Sequence, residues 1–82
     1  MGGFLNNKAK LRPVIVAADV RELRIAAGLT QEKAAEQFGF SLRSWQTKEA
    51  TGADASLLRQ TEYEYLLLLA GRHPHYVLKP RN

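Results

Sequence analysis

The sequence contains no cysteine. This absence excludes disulfide bonds and thiolate metal sites, and it is typical of a protein in a reducing compartment. His73 and His75 are spaced like two metal ligands, but two ligands make a poor site, so we expect no metal. No nucleophile is paired with a base, and no glycine-rich phosphate loop is present. We therefore expect neither an enzyme nor a bound cofactor.

Long apolar runs are also missing. The longest, Leu66–Ala70, is far too short to cross a bilayer. The N-terminal residues lack the long apolar core of a signal peptide. We therefore expect a soluble, cytoplasmic protein with no membrane partner.

Acidic residues are outnumbered by basic ones. Twelve Lys and Arg stand against eight Asp and Glu, which leaves a net charge of +4 on 82 residues. A chain of this length forms one small domain with a thin core, and dimerisation would add stability. The charge favours a polyanionic partner.

Apolar periodicity and helix-boundary residues predict four short helices. Thr30 and Ser41 are suitable N-caps, while Gly28 and Gly39 are suitable stops. The predicted helices are Ala17–Ala27, Gln31–Phe38, Leu42 to about Ala50, and a fourth from a cap at Asp54 or Ser56 to about Ala70. In the fourth helix we expect one buried stripe and a solvated side marked by Glu62 and Glu64. The expected stripe comprises Leu58, Thr61, Tyr65, Leu68 and Leu69.

The two ends of the chain differ from its centre. Residues 1–12 read as a flexible basic arm, 13–72 as the folded domain, and 73–82 as a C-terminal strand or tail. The β-branched Val14–Val16 and the segment Tyr76–Leu78 are strand candidates, which predicts a small two-stranded β element. The leucines at 66–69 are apolar all round a helix, which suggests that part of this surface forms a dimer interface.

The centre of the chain, residues 29–52, has the layout of a helix-turn-helix. Arg43 can bind guanine with two hydrogen bonds, and Gln46 can do the same with adenine. Thr47 offers a hydroxyl and a methyl group, and Leu42 can contact a thymine methyl. Gln31, at the start of the second helix, can reach a phosphate.

Three segments at this spacing carry a family resemblance. They read R-x-x-x-G-L-T-Q-E, A-A-E-x-x-G and S-x-R-S-W-Q-x-x-E, between Leu23 and Glu49. The chain resembles the Xre family, the phage Cro and lambda-repressor-like helix-turn-helix regulators, over roughly Asp19 to Leu69. The resemblance implies an all-α, lambda-repressor-like bundle of four to five helices that binds an operator in double-stranded DNA.

Residue roles follow from the resemblance. It implies a base-reading face, phosphate contacts, and a structural set in which Trp45 is core and Arg24 pairs with Glu49. The base-reading residues are Leu42, Arg43, Ser44, Gln46 and Thr47, and we expect phosphate contacts from Gln31, Lys33, Ser41 and Lys48.

We expect a homodimeric transcriptional repressor of a palindromic operator. It would be an autorepressor of a phage or mobile-element operon, including the anti-CRISPR-associated kind, in a bacterial or phage-infected cell. One alternative is a HigA-type antitoxin that represses its own operon and binds a toxin. The other is a protein-binding adaptor on the same scaffold, which a glutamate-rich third helix would favour. Here that helix holds Arg43 and Lys48 against Glu49.

Overall fold

The computed structural model describes residues 12–79. Its helices are a 3₁₀ turn at Ala17–Asp19, then α1 (Val20–Ala26), α2 (Gln31–Phe38), α3 (Leu42–Glu49) and α4 (Gln60–Leu69). Residues 12–79 contain no strand. The prediction of an all-α chain is confirmed for this range. The predicted N-terminal arm lies outside the described residues except for Arg12.

Local signals account for the bounds of α2 and α3. The side chains of Thr30 and Ser41 each accept a backbone N–H bond of 3.1 Å from the residue three positions later. These bonds satisfy N–H groups that have no partner within the helix. Between the two helices Gly39 has φ = 74°, a left-handed conformation that a side chain would strain. The connection is therefore short and stiff, and it holds α3 at a fixed angle to α2.

The core is built around an indole. Trp45, on α3, is completely buried within the hydrophobic core, and its ring packs against Phe38 and Phe40, with centroids 5.0 Å and 6.3 Å away. The two adjacent alanines of α2 allow α3 to pack closely, because a longer side chain there would displace the ring. The buried residues are Val20, Leu23, Ala34, Ala35, Trp45, Leu58, Tyr63, Leu66 and Leu67.

The first helix is split where one helix was predicted. Ala17–Asp19 forms a 3₁₀ turn, and the α-helix begins only at Val20. The N–H of Asp19 donates to the carbonyl of Val16, three residues back, at 3.0 Å. This i to i−3 bond is the 3₁₀ pattern, which is common at the N-terminal end of α-helices.

The fourth helix begins later than predicted. Neither Asp54 nor Ser56 caps it; α4 starts at Gln60, with Arg59 as the cap residue. Ser56 bonds to α3 instead: its N–H donates to the Thr47 carbonyl at 3.0 Å, and its hydroxyl lies 2.7 Å from the Thr47 hydroxyl. The segment between α3 and α4 is therefore fastened to α3 rather than coiled as a helix.

The expected buried stripe of α4 was also partly wrong. Thr61 is exposed, whereas Tyr63 and Leu66 point into the core. Leu68 and Leu69 are half-buried. A helix that is apolar over most of its surface carries no clear period, so packing against α1 selects the buried face.

The predicted two-stranded β element is absent from residues 12–79, and both of its segments lack regular structure. Each end is attached to α4 instead of to the other end. The Pro13 carbonyl accepts a hydrogen bond of 2.7 Å from Gln60 Nε2, and the neighbouring Arg12 forms an ion pair with Glu64. On the C-terminal side, His73 Nε2 lies 2.9 Å from the Glu64 carboxylate. The two ends are therefore held by side-chain bonds to α4 and not by backbone pairing of two strands.

Glu64 is thus not the solvated residue that we expected. Its side chain is 15% exposed, and Arg12, Gln60 and His73 all bond to it. The hydrogen bond from His73, supported by Gln60 and Arg12 against the opposing effect of desolvation, lowers the pKa of Glu64 to about 2. No helix in the described range is both long and apolar enough to span a membrane.

Candidate functional site

One side of α3 faces solvent. Burial of Trp45 fixes the rotation of this helix, because side chains lie about 100° apart around a helix axis. Leu42, Arg43, Ser44 and Gln46 are exposed, and Thr47 is half-buried. The residues predicted to read bases therefore share one outward surface.

Arg43 carries the most available cation on this surface. Its guanidinium makes no hydrogen bond or ion pair with any other residue of the described chain. It lines a shallow cleft of about 170 Å³ together with Gln46, Thr47, Ala50 and Asp54. All five N–H donors of Arg43 are therefore available to an external acceptor.

Behind this surface lies a polar network centred on Glu49. Its Oε2 accepts from Arg24 Nε and Trp45 Nε1, both at 2.5 Å, and its Oε1 accepts from Gln31 Nε2 at 3.0 Å and from Arg24 Nη2 at 3.4 Å. Arg24 Nη1 also donates to the Leu29 carbonyl at 2.9 Å. The expected pairing of Arg24 with Glu49 is present, and the same carboxylate also holds the indole. One side chain therefore joins α1, α2 and α3.

The protonation state of Glu49 follows from these contacts. Burial by itself would raise the pKa of Glu49, but the hydrogen bonds from Arg24, Gln31 and Trp45 and the positive charge of Arg24 outweigh that effect. The pKa of Glu49 is lowered as a result. The residue is therefore a carboxylate at neutral pH, with acceptor atoms only.

This acceptor sets the orientation of two glutamine amides in turn. Gln31 must present its NH₂ group to the carboxylate, which turns its Oε1 towards α3. Gln46 Nε2 donates to this Oε1 at 3.2 Å. The Oε1 of Gln46 and its second N–H have no partner among residues 12–79. The surface thus presents one acceptor and one donor, side by side, in an orientation fixed by the core.

Thr47 offers less than the sequence suggested. Its hydroxyl donates to the Ser44 carbonyl at 2.6 Å and lies 2.7 Å from the Ser56 hydroxyl. The hydrogen of the Thr47 hydroxyl is therefore bound within the chain and Ser56 occupies one of its two lone pairs, while the methyl group remains for an apolar contact. Leu42, which is 38% exposed, offers a second apolar contact on the same surface.

The four predicted phosphate-binding residues have different surroundings. Gln31 is held by the network, and Ser41 uses its hydroxyl oxygen to cap α3. Lys33 lies 3.7 Å from Glu36 in an exposed pair. Lys48 donates to the Leu57 carbonyl at 3.3 Å and lies 5.2 Å from the centre of the Phe40 ring. Lys33 has the most freedom to move, since exposed pairs of this kind are weak.

Sequence reasoning did not anticipate Asp54 beside Arg43 in the cleft. No local pattern pointed to it, because the loop that carries it lacks regular structure. Among residues 12–79, no three potential metal-ligating side chains lie together. His73 and His75 are in contact, but the His73 Nδ1 accepts the His75 backbone N–H at 3.1 Å.

Comparisons of this chain with protein-family models, with curated proteins and with solved structures found no match. The residues of the chain and their geometry are therefore what supports a function.

Proposed function

We propose that this protein is a sequence-specific DNA-binding transcriptional regulator, acting as a dimeric repressor on a palindromic operator. In this proposal α2, the connection at Gly39–Ser41 and α3 form a helix-turn-helix, and α3 enters the major groove. The observation that carries the proposal is the outer surface of α3. It holds an unpaired guanidinium next to an amide whose orientation is fixed from the core.

The base-reading atoms fit the hydrogen-bonding code of the major groove. Guanine presents two acceptors, N7 and O6, which suit the unpaired guanidinium of Arg43. Adenine presents an acceptor, N7, beside a donor, N6, which suit the remaining N–H and Oε1 of Gln46. A bidentate contact of this kind is worth about 1–3 kcal/mol of discrimination against a wrong base.

Pre-organisation supports the assignment of Gln46. A free glutamine can rotate its amide by a half-turn and then offers donor and acceptor in the reverse order. The chain Glu49 to Gln31 to Gln46 removes that freedom, because a carboxylate accepts and never donates. Less rotamer freedom is then lost when the base is bound.

The surroundings of α3 suit a phosphate backbone. The start of α2 lies next to this surface, and its unpaired N–H groups favour an anion. Lys33 and Lys48 supply charge nearby, and the whole chain has a net charge of +4. These contacts would add affinity without sequence preference.

Dimerisation is part of the proposal because a single α3 reads only a few base pairs. Two copies would place their α3 helices in successive major grooves, about 34 Å apart. Apolar side chains remain exposed for such a contact, notably at the two chain ends. They include Val14, Val16, Ile25, Leu57, Tyr76, Val77 and Leu78, each more than 40% exposed.

The direct test is selection of binding sites from random duplex DNA with purified protein. We expect an enriched inverted repeat, with guanine and adenine among the specified bases of each half-site. Binding of the enriched duplex is then measured by fluorescence anisotropy over a range of salt concentrations. Affinity should fall steeply as salt rises, because phosphate contacts release counterions.

Arg43→Ala and Arg72→Ala make a matched pair of variants. Both remove one exposed arginine, but Arg72 lies beyond α4 and is not among the residues that line the cleft of Arg43. Arg43→Ala should lose most of the preference for the enriched site over scrambled DNA, whereas Arg72→Ala should keep it. Failure to enrich any sequence, with a binding signal that does not respond to salt, would contradict the proposal and favour a protein-binding adaptor.

A further inference from the structure

The cleft beside α3 contains one carboxylate. Asp54 lies in the loop after α3 and lines the cleft together with Arg43, Gln46, Thr47 and Ala50. Asp54 is exposed and makes no hydrogen bond or ion pair with any residue of the described chain. It is the one acidic residue among those that line this cleft.

The cation and the anion of this cleft do not neutralise each other. Arg43 and Asp54 line the same small opening, yet they are not within the 4 Å of an ion pair. Arg43 therefore offers the cleft only donors, and Asp54 offers it only acceptors. A ligand that bonds to both residues must carry an acceptor for Arg43 and a donor for Asp54.

A phosphate does not meet that description, because it carries acceptors and negative charge alone. The carboxylate of Asp54 repels it, so the cleft is unsuited to the DNA backbone. The major-groove edges of two neighbouring base pairs do fit: the guanine of one pair presents acceptors at N7 and O6, and a cytosine of the next pair presents a donor at N4. An adjacent adenine N6 would be the other donor within the same groove.

The loop is held in place for this role. The Ser56 N–H donates to the Thr47 carbonyl, the Ser56 and Thr47 hydroxyls are 2.7 Å apart, and Lys48 Nζ donates to the Leu57 carbonyl at 3.3 Å. These bonds are made by the second and third residues after Asp54, and they join the loop to the last turn of α3. The backbone just after Asp54 is therefore anchored to the helix that carries Arg43.

We propose that Asp54 is a specificity-determining residue that accepts a hydrogen bond from a cytosine N4 amino group in the base pair adjacent to the one whose guanine is bound by Arg43. This inference rests on the proposed function, since it assumes that α3 lies in the major groove. The carboxylate of Asp54 has a second effect: its negative charge weakens binding to any DNA that offers no hydrogen-bond donor at that position.

The test is selection from random duplex DNA with four proteins: wild type, Asp54→Ala, Asp54→Asn and Glu22→Gln. Glu22 is exposed on α1 with no hydrogen bond or ion pair in the described chain, so Glu22→Gln controls for the gain of one unit of charge. Asp54→Ala should lose the base preference at one position per half-site and keep the guanine specified by Arg43. The ratio of its affinity for the wild-type site to its affinity for a site changed at that position should be about five- to tenfold smaller than for the wild-type protein. This is the lower part of the range for one mismatched base pair.

Two further outcomes are expected. Asp54→Ala should bind scrambled duplex DNA more tightly than wild type does, and Asp54→Asn, which can also donate, should accept a different base at the same position. Glu22→Gln should select the wild-type motif.

An Asp54→Ala protein that enriches the wild-type motif at every position would overturn the inference and leave the proposed function standing. A wild-type protein that enriches no motif would overturn both. Circular dichroism of each variant shows whether the fold is retained, and because Asp54 is exposed and makes no bond, we expect it to be.

Discussion

Replacing Glu49 by glutamine keeps the shape of the side chain but removes one of its two acceptor atoms. In the native protein four N–H donors meet the two carboxylate oxygens: two from Arg24, one from Trp45 and one from Gln31. In Glu49→Gln, one oxygen becomes an NH₂ group that must face two of these donors. Arg24 is then a cation whose side chain is only 11% exposed and which has lost its carboxylate partner.

The size of the effect follows from the burial of the pair. The side chains of Arg24 and Glu49 are only 11% and 5% exposed, so solvent screens them weakly. Removal of one partner from a buried pair costs about 3–5 kcal/mol. We expect the lower end of that range, about 3 kcal/mol, since one acceptor oxygen remains. A loss of that size lowers the melting temperature of a small domain by about 12–24 °C.

The assay is thermal and urea unfolding, followed by circular dichroism and by the fluorescence of Trp45, the only tryptophan. Glu36→Gln is the matched control. It makes the same chemical change in the exposed pair of Lys33 and Glu36, whose side chains are 70% and 76% exposed. A surface pair contributes about 0–1 kcal/mol, so this control should hardly change the stability.

The pH dependence adds a second readout. Because the pKa of Glu49 is lowered by folding, its contribution to stability is complete above the ordinary value of 4.5 and is lost as pH falls through the native pKa. The stability difference between wild type and Glu49→Gln should therefore be largest at neutral pH and shrink below pH 4.5. A Glu49→Gln protein as stable as Glu36→Gln at pH 7 would refute the idea that this carboxylate joins the three helices.

Other features of the fold make further predictions. In Gly39→Ala the added methyl meets no atom within 4 Å, so only the left-handed φ of 74° opposes it, and urea unfolding should show a loss of about 1 kcal/mol. Carboxyl NMR titration should give Glu64 a pKa of about 2, and the stability that Glu64 contributes should be lost as pH falls from 4.5 towards that value. His73→Phe removes the largest cause of the shift, so the pKa of Glu64 should move back towards 4.5 in the same titration. A plot of log affinity against log salt for the selected duplex should be steep and linear, and Lys33→Ala should reduce its slope without changing base preference.

The sequence by itself determined the parts of this protein that depend on neighbouring residues. α2 has the predicted bounds, and α3 ends one residue before the predicted position. Thr30, Ser41 and Gly39 account for this agreement, because capping and left-handed turns involve residues only a few positions apart. The burial of Trp45 was predictable as well, and it fixes which side of α3 faces outwards.

Where several local solutions were nearly equal, only the tertiary structure decided. The leucines of α4 could all be buried, and contact with α1 selected Leu66 and Leu67. The two candidate strands are compatible with pairing, but side-chain bonds to Glu64 and Gln60 hold each end separately. The contacts of the N-terminal end join residues about fifty positions apart, and the contact of the C-terminal end joins residues 9 positions apart. No local pattern predicts either.

The outer surface of α3 likewise depends partly on local sequence and partly on tertiary contacts. Residue type and helix period place Arg43 and Gln46 on the outer surface of α3. The direction of the Gln46 amide, the engagement of the Thr47 hydroxyl and the position of Asp54 come from contacts with α2 and with the loop after α3. Hydrogen bonds are directional, so which atoms reach a ligand is settled only when distant segments are brought together.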